Sequence, residues 1–586
     1  MRRVLALVCC LAACGDDKSP VDAVELDGDA DSGDANDTDS ASEVPDTTPE
    51  VLDAEQEIDA TETEVSPPAR PWYEGAVMYE IFVRSFQDSN GDGKGDLRGI
   101  IDRLDYLNDG VPGSGDDLEV DGLWLMPIFK SDSYHGYDVT DYAAIEPDYG
   151  TSADFDALVA ACEARGIKVV LDFVMNHTGQ NHPWFIDSRS GPAAAKHSWY
   201  LWRADDPGWK QPFGTGNVWH PYGGSFYYAI FWSGMPDLNY REPAVVTAMT
   251  DLALGWRDRG VAGFRLDAAR YLIESAGGKL FEQPETHAFW KSFRASLGDD
   301  FYLVGEVWTS RPAVTTYWGG GKELHQAFDF DLQAAITKSV GDGAATWLRQ
   351  ELTAQKAAGT PWGYAATFLS NHDLDRVSRR LSDGEQRAAA FVMMTLPGTP
   401  YLYYGDELGV KSAPSNGDQA KRGPLAWTAT ADADYGFTTG TPWIAFAGES
   451  DTRNIATSLG NPASLLRYYQ SLIRLRHEEP ALTGEGVAVI VPQPDVLALL
   501  RYRDGEVLLA VVNLSGNELD LTTMDVSDAT TLLGAVPWQM HGIFGVTGEQ
   551  RVTDPSAVPM MGASWAPYEG RIWKLSGSTH SDPGMQ

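Results

Sequence analysis

The chain has 586 residues, 43% of them apolar, and a formal net charge of -40, a length that exceeds one ordinary core and allows a large domain plus one or two smaller ones. The charge is uneven, because residues 15–69 hold nineteen acids against Lys18 alone while residues 1–14 are net positive. With no basic stripe on an acidic chain, electrostatic binding to nucleic acid or to an anionic lipid surface is set aside.

The chain starts Met1-Arg2-Arg3, followed by the apolar run Val4 to Ala13 that ends Leu11-Ala12-Ala13-Cys14. A basic start and a short apolar core read as an export signal, too short to span a bilayer as a helix. The Leu-Ala-Ala-Cys ending resembles a bacterial lipobox, which makes Cys14 the expected first mature residue and lipid-attachment site. An ordinary cleaved signal is the alternative. After processing, only Cys14 and Cys162 remain, and no structural disulfide is then expected. Residues 15–70 lack aromatics until the body of the chain begins, so they cannot bury enough apolar surface to fold and read as an acidic disordered tether.

From Trp72 onward, short apolar runs alternate with helical patterns. The strand candidates are 77–82, 122–127, 168–174, 263–267, 302–306, 326–330, 365–370 and 399–404, and helices are expected between most of them, as at 152–165 and 243–259. Eight strands with interleaved helices predict a parallel (β/α)8 TIM barrel, whose chemistry gathers at the C-terminal ends of the strands. An open doubly wound sheet would call for a glycine-rich phosphate turn after an early strand, and none is convincing. The roughly ninety residues between the third and fourth strands are too many for a plain loop. An inserted small domain is therefore expected at 178–240, between barrel parts at 71–177 and 241–484. It holds fifteen aromatics in 63 residues; such faces suit sugar rings, but most are expected to be that domain's own core. After Pro480 the pattern turns to alternating runs at 487–491, 496–502, 506–513 and 570–575, predicting a C-terminal antiparallel β-sandwich over 485–577 with a short tail, 578–586.

Acids and histidines fall at the strand ends. Asp172 and Asn176-His177 close the third strand, Arg265 and Asp267 the fourth, Glu306 the fifth and His372-Asp373 the seventh. In a barrel these ends converge, so Asp267, Glu306 and Asp373 are expected to face one another. Arg265 and Asp267 are two apart in a strand and should share a side, where the guanidinium favours the charged carboxylate. A second constellation is Asp88-Ser-Asn90-Gly-Asp92-Gly-Lys94-Gly-Asp96, which places hard oxygen donors of the kind calcium prefers at alternate positions of a glycine-bent loop. An unmetallated turn is the alternative.

These residues carry a resemblance. Asp172-Phe-Val-Met-Asn176-His177, Gly263-Phe-Arg265-Leu-Asp267-Ala, Gly305-Glu306-Val and Asn371-His372-Asp373, in this order, resemble the four main motifs of the α-amylase superfamily, glycoside hydrolase family 13. Tyr79-Glu-Ile-Phe-Val-Arg-Ser-Phe, His135-Gly-Tyr137-Asp138 and Tyr403-Tyr-Gly-Asp-Glu407 add to it. The resemblance implies Asp267 as nucleophile, Glu306 as general acid and base, and Asp373 as the carboxylate that grips sugar hydroxyls. It also implies that Arg265 holds Asp267, that His177 and His372 bind hydroxyls and that Tyr137 stacks on the sugar ring. Retaining hydrolysis needs one ionised and one protonated carboxyl. Arg265 beside Asp267, and Val304, Val307 and Trp308 around Glu306, are expected to push the two acidities apart in those directions. The resemblance further implies a calcium ion held by Asp88, Asn90, Asp92, the Lys94 carbonyl and Asp96. A second calcium seen in many relatives is put in doubt by Tyr271, which stands where those relatives carry histidine.

Met235-Pro-Asp-Leu-Asn239 and Ala268 resemble the intermediate group between oligo-1,6-glucosidases and neopullulanases, with its lipid-anchored α-amylases. The implied activity is retaining hydrolysis of α-1,4 bonds in starch or maltodextrins, with some transglycosylation. The expected enzyme is monomeric, extracytoplasmic and held to a bacterial membrane through Cys14. The alternatives are an α-glucosidase or oligo-1,6-glucosidase, a neopullulanase, or a non-catalytic surface glycan-binding protein.

Overall fold

The computed structural model describes residues 70–577 apart from Asn416, Met561 and Ala563; the expected signal, Cys14, the tether up to residue 69 and the tail 578–586 lie outside the described residues. Eight strands close a parallel barrel: β1 (Met78–Ile81), β2 (Gly122–Leu125), β3 (Lys168–Phe173), β4 (Gly263–Leu266), β5 (Tyr302–Gly305), β6 (Gln326–Phe328), β7 (Ala365–Phe368) and β8 (Thr399–Tyr403). Each pairs with its sequence neighbour, and β1 closes the ring against β8 through Met78 and Tyr401. The expected fold class is therefore observed.

Side-chain alternation sorts the strands into two layers. Met78, Trp124, Val170, Tyr302, Val304, Phe328, Ala366, Phe368 and Tyr401 fill the barrel interior, while Tyr79, Leu123, Leu171, Phe264, Leu266 and Leu303 face the surrounding helices. The expected helices form for readable reasons. Thr151 and Asp154 make a reciprocal capping box at the start of Ser152–Glu163, satisfying donors that the first turn leaves open. Pro243–Asp258 starts on a proline and buries Val245, Met249, Ala253 and Trp256, a stripe at helical spacing.

The long connection after β3 carries a helix, Pro183–Ser188, and a three-stranded antiparallel sheet of Trp202–Arg203, Ser225–Tyr228 and Trp219–Tyr222. Bridges from His177 to Asp237 and from Tyr200 to Leu238 bring its two ends together. Of its fifteen aromatics Tyr222 is exposed and eight are buried; Phe185, Trp199, Tyr200, Tyr227 and Tyr240 join the main core, while Trp219, Tyr228 and Phe231 cluster with Ala268 and Leu280.

At the C-terminal end the structure is less symmetric than a sandwich of two equal sheets. One six-stranded antiparallel sheet runs in the order Gly486–Gln493, Val496–Arg503, Glu506–Asn513, Gly570–Gly577, Trp538–Phe544, Glu549–Val552. Its second layer is only two ribbons, Leu519–Asp520 with Ser564–Trp565 and Thr523–Met524 with Val558–Pro559. The central strands are apolar on both faces: Val496, Ala498 and Leu500 meet the ribbons, while Leu497, Leu499, Leu508 and Ala510 join the main core. The Asp504-Gly505 turn, with φ of 51° and 78°, joins two of these strands through the twist-compatible hairpin that Asp-Gly favours.

Candidate active site

Strand ends from β3, β4, β5 and β7 meet at one mouth around Arg265. This residue is 1% exposed, and it faces inward because Phe264 and Leu266 face out. One of its nitrogens, Nη1, donates to both oxygens of Asp172 at 3.0 and 2.9 Å and to Asp267 Oδ1 at 2.8 Å. The other, Nη2, donates to Glu306 Oε2 at 2.7 Å. A single guanidinium thus holds three carboxyls, two of them, Asp267 and Glu306, one residue past their strands. Ala268 directly follows with φ of 51°, and its N–H donates to Glu306 Oε2 at 3.3 Å, so the turn out of β4 ties the two acids together.

Asp373 completes the mouth. His372 Nε2 lies 3.0 Å from Asp373 Oδ2, and Arg422 Nη2 lies 3.2 Å from Asp373 Oδ1. The Tyr137 hydroxyl donates to Asp172 Oδ2 at 2.9 Å and lies 2.7 Å from His372 Nε2, and its ring stacks on His372 at 5.7 Å and 16°. His177 is 2% exposed and its Nε2 has no hydrogen-bond partner. Asp267, Glu306, Asp373, Tyr137, His177, Arg265 and His372 are therefore all brought to one place.

The acidities differ from the expectation in one respect. Burial raises Asp267 to about 6, outweighing the pull of Arg265, and the charges of Asp172 and Asp373 add to the rise. Burial, reinforced by the charges of Asp267 and Asp373, raises Glu306 to about 7. The order required for one ionised and one protonated carboxyl is kept, but both groups move up and Arg265 does not hold Asp267 low. Val304 and Val307 are fully buried at Glu306 as expected, whereas Trp308 is turned onto Phe330, with centroids 4.4 Å apart. Asp373 behaves oppositely: burial pushes it up, but His372 and Arg422 outweigh this and hold it well below the usual carboxylate range. Burial lowers His177 to about 3, leaving a neutral ring.

Two contributors, Glu80 and Arg422, have no assigned role in the sequence reading, and a third, Asp172, has a place there but no partner. Glu80 on β1 sits 2.6 Å from His372 Nδ1; an acid at an inward strand position was the available signal. Asp172 is expected at a strand end, and the structure supplies its partner, Arg265. Arg422 lies in the long segment after β8, where no pattern marks it.

The loop after β1 is built from Asx turns. Asp88 accepts from the N–H groups of Asn90, Gly91 and Gly93, Asn90 from that of Asp92, Asp92 from that of Lys94, and Asp96 from those of Ser89 and Gly99. Lys94 Nζ turns away to Asp148 at 2.7 Å, leaving Asp88, Asp92 and Asp96 without an ion-pair partner among the described residues. The donor chemistry suits a hard cation. Convergence is incomplete: among the described residues no three His, Cys, Asp or Glu side chains gather in a metal-ligating group, and Asn90 Oδ1 and the Lys94 carbonyl would have to complete the set. Where many relatives hold the second calcium that Tyr271 puts in doubt, Tyr271 packs against Phe213, Phe231 and Phe281, and Asn176 Nδ2 donates to Asp237 at 2.9 Å while its Oδ1 has no partner among the described residues.

Known proteins place this geometry. Residues 80–485 match the family model described as "Alpha amylase, catalytic domain". The chain is 36% identical over 454 residues to alpha-amylase 3 of Dictyoglomus thermophilum, covering 76% of this chain and 86% of that protein. It is 34% identical over 517 residues to the trehalose synthase/amylase TreS of Mycobacterium tuberculosis, covering 76% of this chain and 83% of that protein. Among solved structures, the alpha-amylase from H.orenii superposes with a TM-score of 0.73 at 34% identity, covering 86% of this chain and 99% of the other. Other relatives are named as α-glucosidase and oligo-1,6-glucosidase. Barrel, strand-end carboxyls and sequence agree, and the chain belongs to the α-amylase family of glycoside hydrolases, family 13.

Proposed function

We propose that this glycoside hydrolase cleaves α-1,4-glucosidic bonds of starch or maltodextrins by a retaining mechanism, with some transglycosylation. The observation that carries the reading is the shared Arg265, which sets Asp267 and Glu306 side by side with Asp373 opposite. Asp267 attacks the anomeric carbon while the Glu306 carboxyl gives its proton to the departing glycosidic oxygen, leaving a glycosyl ester on Asp267. Glu306, now a carboxylate, takes a proton from water, and the resulting hydroxide displaces Asp267. Asp373 and the neutral His177 hold ring hydroxyls, and the face of Tyr137 carries the sugar's C–H surface. Endo action on α-1,4 bonds is supported by the α-amylase relatives and by the Met235–Asn239 and Ala268 sequences, and all three acids argue against a purely glycan-binding protein. Soluble starch, pullulan, isomaltose and sucrose assayed side by side test it: starch is expected to be the best substrate, and turnover of isomaltose or sucrose without starch would sink the reading.

We also propose that the loop of Asp88, Asn90, Asp92, Lys94 and Asp96 takes a structural calcium ion. Hydrogen bonds tie this loop to the segment at 437–440, where the Phe437 carbonyl accepts from the Asp88 N–H at 3.0 Å and Thr438 Oγ1 donates to Asp88 Oδ2, so an ion held there would stabilise both. Chelation by EDTA is expected to lower Tm by several degrees, since a bound ion stabilises the native state by mass action, with Ca2+ restoring it; an unchanged Tm, together with no calcium by elemental analysis, would refute the site. The lipid anchor at Cys14, and with it an extracytoplasmic, membrane-held location, is proposed on the Leu-Ala-Ala-Cys sequence alone, and monomeric state likewise is a proposal.

A further inference from the structure

His372 sits inside the mouth with both ring nitrogens engaged. Nδ1 lies 2.6 Å from Glu80 Oε1, and Nε2 lies 2.7 Å from the Tyr137 hydroxyl and 3.0 Å from Asp373 Oδ2. Glu80 is 1% exposed, and among the described residues the hydrogen bonds of its side chain go to His372, through the ring and through the backbone N–H at 3.4 Å. In the barrel interior it pairs in register with Trp124 on β2, and the charges of Arg265 and Asp373 reach it. A carboxylate in such a place is costly unless paired, and its hydrogen-bond partner among the described residues is a residue of the active site.

The proton arrangement explains why an acid belongs there. A neutral imidazole has one N–H. If Nδ1–H is donated to Glu80, Nε2 of a neutral ring turns a bare lone pair toward the Asp373 carboxylate, an unfavourable contact. A ring protonated at both nitrogens donates in both directions. The charged groups around His372 are Glu80 from β1, Asp373 beside it in the chain, Asp172 and Arg265 behind Tyr137, and Arg422, whose Nε donates to the His372 carbonyl at 3.1 Å. Burial opposes protonation of the ring and pushes Glu80 upward as well, but the pairing with Asp373 and Glu80 prevails at the ring, raising His372 to about 9.

We propose that Glu80 is a positioning residue: its carboxylate holds His372 as a two-proton donor, so that His372 pins one oxygen of Asp373 while Arg422 pins the other. Glu80 touches neither sugar nor scissile bond. It acts through His372 on the orientation and charge of Asp373, and the inference rests on the role of Asp373 proposed above.

The substitution Glu80→Gln separates charge from shape, because the amide oxygen still accepts from Nδ1–H. Glu80→Gln is expected to lower kcat/KM on maltopentaose about 10- to 100-fold, as loss of a charge-assisted hydrogen bond does, mainly through kcat, with Tm unchanged or raised. On a His372→Asn background the same change is expected to add nothing, the signature of two residues acting through one path. In 15N NMR at pH 7.5, His372 of the unaltered protein is expected to carry protons on both ring nitrogens and to lose one in Glu80→Gln. A Glu80→Gln enzyme within threefold of the parent, equal losses on both backgrounds, or a neutral His372 in the parent would each overturn the proposal. Asp373→Asn separates this from the wider reading: if it stays active the assignment of the site fails, whereas an inactive Asp373→Asn beside a fully active Glu80→Gln removes only Glu80.

Discussion

Asp267→Asn is expected to cut starch turnover by at least about 10⁴-fold, the scale on which loss of a covalent nucleophile acts, with the folded protein and its binding of malto-oligosaccharides retained. Retention follows from the geometry. The amide keeps the shape of the carboxyl, and Arg265 keeps Asp172 at 2.9 Å and Glu306 at 2.7 Å, so no buried charge is stranded. The ion pair that is lost is also one that burial disfavours, since burial pushes the Asp267 carboxyl up to about 6. Circular dichroism, Tm and a binding isotherm separate loss of chemistry from loss of fold. Activity equal to that of the parent would refute the nucleophile assignment.

Glu306→Gln is expected to cost about 10²- to 10⁴-fold on starch, the range that a positioned general acid supplies. The loss should be much smaller for the first step on an aryl glycoside, whose phenolate leaves without a proton. The second step still lacks its base, so a burst of phenolate followed by a slow phase is expected. The pH profile carries the same assignment. With Asp267 near 6 and Glu306 near 7, the working form, an ionised Asp267 beside a protonated Glu306, is most populated between the two. The kcat/KM of the parent should fall below about 6 as Asp267 takes a proton and above about 7 as Glu306 loses one. In Glu306→Gln the alkaline limb should vanish on the aryl substrate while the acid limb stays. An alkaline limb that persists in the variant belongs to another group.

How far this site can be read from the chain depends on what each residue's signal was. The eight strands show as short apolar runs punctuated by helical patterns, and Asp267, Glu306 and Asp373 show because carboxyls at the ends of such runs have no other reason to recur. The partner geometry is less legible. Arg265 lies two residues from Asp267, which suggests a private ion pair; in three dimensions the guanidinium is divided among Asp172, Asp267 and Glu306, and burial decides the balance. That sharing depends on the register of β3, β4 and β5, which no local pattern shows. Glu80 was visible as an acid on an inward strand position, but its significance needs His372 from β7 beside it, 292 residues away. Arg422 reaches Asp373 from an irregular segment with no periodicity at all. The C-terminal strands were placed by alternation, yet the imbalance between a six-stranded sheet and two short ribbons follows from Leu497, Leu499 and Leu508 packing on the main core, an interaction between distant parts of the chain.

The central claim is that Asp267 displaces the leaving group directly and water displaces Asp267 in turn, so that two inversions return the starting configuration. Proton NMR of maltopentaose hydrolysis in its first minutes, before mutarotation mixes the anomers, reads this outcome without any substitution. New reducing ends that appear first as the α-anomer are the predicted result; a first-formed β-anomer would contradict it.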